Sequence, residues 1–181
     1  MVAEIEKDKK DLRSGEESGI LKGVDRNSIS SPIEAGRTDG VGEPWAIARH
    51  GKPLNDRQQA LLDKLPGYDS KAEVDKSDIS MMDLAALTAK TGDEFAMFTR
   101  GSKRLVVRGN DERVNINPGS AAELSAQGYK WSGHTHPGDS KTVLHSSEGD
   151  KDVLKAFKQG MSVIYNSLGQ YQTFDKKGKW G

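Results

Sequence analysis

Residues 129–150 read YKWSGHTHPGDSKTVLHSSEGD, and they decide the fold because they pass from a strand pattern through a loop into a helix start. The residues from Tyr129 to His136 alternate with a period of two, which is typical of a strand, and Pro137 ends it. His134 and His136 then share one face, about 6.5–7 Å apart along the strand. Two imidazoles at this separation can reach one ion, because zinc–nitrogen bonds are about 2.0–2.1 Å long. Trp131 is predicted to be a core residue beneath the histidine strand.

The segment after the loop carries helix start and stop signals. Ser147 fits an N-cap and Gly160 a C-terminal cap. Four residues fall on one stripe of this helix, namely Ser147, Asp150, Leu154 and Phe157. Because the stripe includes two apolar anchors, we expect the carboxylate of Asp150 to point inward.

Each half of this pattern has an ordinary explanation. A Ser-x-x-Asp pair is also a capping pair, which needs no metal, and a His-x-His pair on a strand is often only solvated or hydrogen-bonded. The two halves occur together within one short segment, and their conjunction favours a metal site formed by His134, His136 and Asp150. Two imidazoles and one carboxylate favour Zn²⁺ by ligand softness.

These residues resemble a known family signature. The run His134-Thr135-His136-Pro137, followed by Ser147-Glu148-Gly149-Asp150, is similar to the JAMM motif of JAB/MPN-domain metalloproteases. The resemblance implies that both histidines and the aspartate hold zinc and that the serine assists catalysis. Ten residues separate His136 from Ser147, three more than in the family pattern. The additional residues lengthen the loop over the site, which costs little chain entropy.

The family also uses an upstream glutamate as general base, and Glu94 is the candidate. It stands between a helical stretch that ends at Gly92 and a strand-like run, which is comparable to the family position. An ordinary exposed glutamate at a strand edge is the alternative interpretation. Glu112, in a turn, and Glu123, which can close a capping box with Ser120, are weaker candidates.

The resemblance implies zinc-dependent hydrolysis of an amide bond in a protein or peptide substrate. A zinc-bound water would attack the carbonyl, Glu94 would accept its proton and deliver it to the leaving amine, and the Ser147 hydroxyl would stabilise the carbonyl oxygen. The chain has no cysteine. This excludes thiol nucleophiles, thiolate metal sites and disulfides.

Composition sets the remaining bounds. A chain of 181 residues allows one ordinary domain plus an appendage. Its 27 Lys and Arg balance its 27 Asp and Glu, so neither a nucleic-acid surface nor a polybasic membrane anchor is predicted. The N-terminal residues contain no apolar run of signal-peptide or membrane-span length. We therefore expect a cytoplasmic protein of a bacterial host cell, or one associated with a virion.

The chain divides unevenly between a leader and a domain. Residues 1–44 contain no aromatic residue and no sustained amphipathic period, which predicts a flexible leader or linker. Residues 45–181 are predicted to form a JAB/MPN-like domain that begins with helices. The predicted helices are 55–65, 80–91, 120–127 and 147–160, and the predicted strands are 94–100, 103–108, 113–117, 129–136, 161–166 and 171–175. This order predicts an α+β fold with a mixed sheet flanked by helices, which agrees with the cytidine-deaminase-like/JAB-MPN type of fold that the resemblance implies.

A second resemblance concerns context. Residues 83–100, 131–137 and 162–167 are similar to C-terminal regions of phage head-morphogenesis (minor head) proteins, over most of residues 55–175. It implies that the chain is the end of a larger phage or prophage protein, with phage head proteins as partners. Two functional classes therefore stay open: an active zinc peptidase or isopeptidase, and a non-catalytic phage head module or effector domain that retains the fold.

Overall fold

The computed structural model describes residues 54–178, so the predicted leader at 1–44 lies outside the described residues. The described chain contains α1 (Asp56–Asp63), β1 (Lys71–Asp75), α2 (Met81–Thr91), β2 (Phe95–Arg100), β3 (Lys103–Arg108), α3 (Pro118–Ala126), β4 (Lys130–His136), a 3-10 helix (Lys141–Leu144), α4 (Glu148–Ala156), β5 (Met161–Asn166) and β6 (Tyr171–Asp175). Among these helices, none has the length and apolar character needed to cross a bilayer.

The six strands form one mixed sheet in the order β1-β3-β2-β4-β5-β6. All neighbouring strands are antiparallel except β4 and β5, which run parallel and are joined through α4. The helices pack on this sheet, so the prediction of an α+β fold with a mixed sheet flanked by helices is confirmed.

Alternating residues of β2 divide the core into two clusters, one on each face of the sheet. Phe95 and Met97 pack with α1 and α2 in the first cluster. Ala96 and Phe98 pack with α3 and α4 in the second. Side chains two residues apart on a strand share a face, so Glu94, just before β2, faces the second cluster. The candidate site therefore belongs to the face covered by α3 and α4.

The first two helices begin at the predicted positions, 55 and 80, and α1 ends at Asp63, two residues before its predicted end. Asn55 and Ser80 are the N-caps of α1 and α2, each closing a capping box, and α2 ends at Gly92 with a φ of 77°. Asp83 of the second box is buried and also accepts a hydrogen bond from Gln58 Nε2 at 2.9 Å. This carboxylate therefore caps α2 and ties it to α1.

The predicted strand at 113–117 was wrong. The segment is irregular, because β3 already pairs with β2 on one side and with β1 on the other. Asn110 folds it back instead: its side-chain Oδ1 accepts the N–H groups of Glu112 and Arg113 at 2.9 Å. The strand β1 was not predicted, because Lys71–Asp75 has a single β-branched residue among charged ones, and these residue types are depleted in strands although they suit an exposed edge.

The start of α3 also differs from the prediction. The helix begins at Pro118 with Asn117 as N-cap, and the Asn117 side chain and Ser120 form the capping box. Ser120 is therefore the third helical residue rather than the cap, and Glu123 does not close the box. Proline at the first helical position explains the shift. A backbone N–H at this position has no partner within the helix, so the absence of this group in proline costs nothing.

The end of α4 differs for a similar local reason. The helix ends at Ala156 rather than near Gly160, and Lys158 takes a left-handed φ of 56°. Lys158 N–H donates to Lys155 O at 2.9 Å, and Gln159 N–H donates to Leu154 O at 3.3 Å. These two bonds form a Schellman motif, whose left-handed position is usually occupied by glycine.

Lys158→Gly is therefore expected to stabilise the protein by about 0.5–1 kcal/mol. The left-handed conformation costs an L-residue about 1–2 kcal/mol, and the greater freedom of glycine in the unfolded chain offsets about 0.4–1 kcal/mol. Urea unfolding measures the change. The matched control is Lys155→Gly inside α4, which should lower the free energy of unfolding by about 1 kcal/mol; a loss of stability in both variants would contradict the prediction.

Candidate metal centre

The strand that carries the histidines contains a β-bulge. Its register against β2 shifts between Gly133 and Trp131, so that Ser132 is the extra residue. The bulge breaks the period of two, and Trp131 therefore lies on the same face as His134, with ring centroids stacked 5.0 Å apart. The prediction that Trp131 is a core residue is confirmed, since its side chain is buried in the second cluster. Bulges reorient side chains in this way next to functional sites.

The two histidines and Asp150 converge on one point. The Nε2 atoms of His134 and His136 are 3.0 Å apart, and His134 Nε2 lies 3.2 Å from Asp150 Oδ1. The ligand atoms of all three residues lie within 4.8 Å of one another. Bonds of about 2.0–2.1 Å in a tetrahedral site place neighbouring ligand atoms about 3.3 Å apart. The donor set and its spacing could therefore hold a metal ion.

Ser147 and Asp150 form the capping pair and also reach the cluster. Ser147 Oγ accepts the Asp150 N–H at 3.0 Å, and Asp150 Oδ2 accepts the Ser147 N–H at 2.8 Å. The other carboxylate oxygen, Oδ1, faces His134. The capping and metal interpretations are thus compatible, because each uses a different oxygen of Asp150. Ser147 Oγ accepts in the cap and retains its own proton for a further hydrogen bond.

The electrostatics of the cluster keep Asp150 ionised. Burial alone would raise the pKa of its carboxyl, but His134, His136 and the backbone N–H of Ser147 outweigh burial and hold that pKa well below its ordinary value. A carboxylate that stays charged at neutral pH is ready to bind a cation without first losing a proton.

The lengthened loop orients His136. The loop forms the 3-10 helix, and His136 Nδ1–H donates a hydrogen bond to the carbonyl oxygen of Val143. Such a second partner fixes the ring and leaves Nε2 directed at the ion site. His134 Nδ1 is buried and has no hydrogen-bond partner among residues 54–178, so packing against Trp131 holds that ring. The contact from Val143 was not predicted, because a backbone carbonyl group is present in every residue type and gives no signal in the sequence.

Glu94 lies beside the same cluster. Its side chain is buried, and Oε1 is 3.9 Å from His136 Nε2. Its backbone is held on both sides, since Glu94 N–H donates to Asn110 O at 2.8 Å and Gly109 N–H donates to Glu94 O at 2.7 Å. The alternative of an exposed strand-edge glutamate was therefore wrong.

A cavity of about 160 Å³ opens at this cluster. It is lined by ligand and candidate catalytic residues together with apolar ones, namely Glu94, Ala96, Phe98, Glu112, Arg113, Val114, Ile116, Trp131, His134, Ser147, Gly149, Asp150 and Val153. Of the two weaker glutamate candidates, Glu112 lines the cavity and Glu123 does not. The structure thus brings together Glu94, Ser147 and the three predicted ligands.

Comparisons of the chain with protein-family models, with curated proteins and with solved structures found no match. The interpretation of the site therefore depends on its geometry and on the motif.

Proposed function

We propose that the protein is a zinc-dependent metallopeptidase or isopeptidase of the JAMM type, with a JAB/MPN-like fold, that hydrolyses an amide bond in a protein or peptide. One observation carries the proposal: two buried imidazoles and a carboxylate converge within 4.8 Å, and a buried glutamate lies beside them. If Asp150 served only to cap a helix, no histidine would need to lie at its carboxylate. If His134 and His136 were only structural, no buried glutamate would need to lie beside them.

Each residue of the site would have a role that follows from its position. His134, His136 and Asp150 would hold the ion, which when bound supplies a Lewis acid that activates water and polarises the substrate carbonyl. Glu94 Oε1 would take up the proton released by the attacking water and deliver it to the leaving amine. The low exposure of Glu94 keeps bulk water from competing for this proton.

Ser147 has the complementary role of a hydrogen-bond donor. Its backbone is fixed by the cap to Asp150, so the position of its Oγ is defined before substrate binds. An O–H donated to the carbonyl oxygen as negative charge develops there stabilises the transition state, typically by about 2.7–4 kcal/mol for a donor of this kind. The resemblance to minor head proteins supports phage head proteins as substrates or partners.

Metal analysis of the purified full chain tests the proposal. We expect one zinc ion per chain by elemental analysis, and its loss in His136→Ala and in Asp150→Ala because each removes one of three ligands. The matched controls are His145→Ala, a histidine of the loop outside the cluster, and Asp152→Ala, a carboxylate on the exposed side of α4 that pairs with a lysine. Both controls should retain zinc.

A screen of peptide and isopeptide substrates with the zinc-loaded protein follows. Cleavage that chelation abolishes and zinc restores would support the enzyme. Absence of metal from every form would overturn the proposal and favour the structural phage head module. Zinc binding without cleavage of any substrate would favour a module that retains the ion without turnover.

A further inference from the structure

The cavity continues from the ligand cluster along an apolar wall that no step of the proposed chemistry uses. We propose that this wall binds one apolar side chain of the substrate, aromatic or branched aliphatic, from a residue next to the bond that is cleaved. That the substrate is a peptide rests on the proposed function. That the cavity prefers an apolar group rests on its lining alone.

The composition of the lining supports this selectivity. Six of the lining residues are apolar, namely Ala96, Phe98, Val114, Ile116, Trp131 and Val153. Glu112 and Arg113 also line the cavity, but a charged side chain that lay against the six apolar residues would lose hydration there, which is unfavourable. An apolar side chain would instead remove its own surface and that of the wall from water.

The size of the cavity limits the occupant to about one side chain. Its volume is about 160 Å³, and an apolar cavity of about 150 Å³ in another protein holds a benzene molecule. Pockets for whole drug-sized ligands or cofactors are larger, about 300–1,000 Å³. A single ring or a leucine-sized group matches the space.

The position of the cavity specifies which residue of the substrate would enter it. Glu94, His134 and Asp150 line the same cavity as the apolar wall. A substrate carbonyl placed at these residues has neighbouring Cα atoms only about 3.8 Å apart along its chain. The side chain on one side of that carbonyl is therefore within reach of the wall.

Part of the wall comes from the segment that was wrongly predicted as a strand. Val114 and Ile116 are partly buried against the second core cluster and line the cavity. They are positioned by the turn at Asn110, whose carbonyl also binds the backbone of Glu94. One turn thus connects Glu94, the candidate base, to the apolar wall. We therefore expect Val114 and Ile116 to determine which substrate side chain is preferred.

Methyl NMR of the full chain tests the inference without requiring turnover. The probes are N-acetyl-phenylalanine N-methylamide and its glycine counterpart, each titrated into zinc-free and zinc-loaded protein. We expect the phenylalanine compound to shift the methyl signals of Val114, Ile116 and Val153 in both forms, with an affinity at least about tenfold above that of the glycine compound. Equal affinities, or shifts confined to other methyl groups, would overturn the inference.

A pair of variants assigns the effect to the wall. Val114→Trp fills the cavity and should abolish the preference for phenylalanine, while Val74→Trp, the same change at a partly buried valine packed against the first core cluster, should retain it. If Val114→Trp fails to fold, Ile116→Trp replaces it. The zinc-free titration requires neither metal nor cleavage. It therefore tests this inference even if the protein binds no zinc and cleaves no substrate.

Discussion

Replacing Glu94 by glutamine is expected to lower amide-bond cleavage by the zinc-loaded protein about 10²–10⁴-fold and to leave its zinc content unchanged. Glutamine keeps the size and hydrogen-bonding shape of the side chain but cannot accept a proton. Glu94 is not one of the three clustered ligand residues, although its Oε1 lies 3.9 Å from His136 Nε2. Turnover should therefore be lost without loss of the metal, as measured by kcat/KM together with elemental analysis.

Glu112→Gln is the matched control for this prediction. Glu112 lines the same cavity, so the change removes a carboxylate of the same kind from the same space, and kcat/KM should change only a few-fold. If instead Glu112→Gln abolished cleavage and Glu94→Gln retained it, the general base would be Glu112. Loss of zinc in Glu94→Gln would mean that Glu94 is a ligand, which contradicts the role proposed for it.

Replacing Gly133 by alanine should cause a large loss of stability. Gly133 has a φ of 152°, and a Cβ there would lie 2.7 Å from Val163 Cγ1 and 2.9 Å from Val163 O. The backbone conformation costs about 1–3 kcal/mol for an L-residue, and the forced shift of β5 costs about 1–3 kcal/mol more. A total of about 3 kcal/mol or more is a large part of the 5–15 kcal/mol typical of a domain.

Urea unfolding of Gly133→Ala beside Gly160→Ala measures this effect. A Cβ at Gly160 meets nothing within 4 Å, so the control should change the free energy of unfolding by less than about 0.5 kcal/mol. Because His134 directly follows Gly133, the folded fraction of Gly133→Ala should also bind zinc more weakly. A Gly133→Ala variant as stable as the wild type would contradict the prediction, because it would mean that β5 can move away from β4 with little loss of free energy.

Local signals in the sequence were sufficient wherever one residue and its near neighbours determine the structure. The predicted helix starts at 55 and 80 and the predicted stop at Gly92 agree with α1 and α2, because caps and left-handed turns depend on a few adjacent backbone groups. The predicted strands at 94–100 and 103–108 leave two residues between them, which is the length of a tight hairpin turn, and β2 and β3 form this hairpin. The signals at Ser120 and Gly160 misled, since Asn117 with Pro118 and the Schellman motif at Lys158 were stronger local alternatives.

The residues of the candidate metal centre were also predicted from the sequence. The spacing of His134 and His136 on a strand, followed by Asp150 on an inward helical stripe, predicted the three residues that the structure brings together. Glu94, proposed because the family places its glutamate in a comparable position between a helix and a strand, lies beside them. The inference for the two histidines and Asp150 agrees with the structure because the periods of strands and helices determine which side chains share a face.

Tertiary structure alone decided the features that depend on which segments become neighbours. Pairing of β3 with the charged edge strand β1 left no partner for residues 113–117, which became the wall of the cavity. The close approach of β5 to Gly133 accompanies the bulge that turns Trp131 onto His134, and the folding of the loop brings the Val143 carbonyl to His136. None of these contacts is encoded by residue type at one position, because each forms between backbone segments whose proximity depends on the packing of the whole sheet.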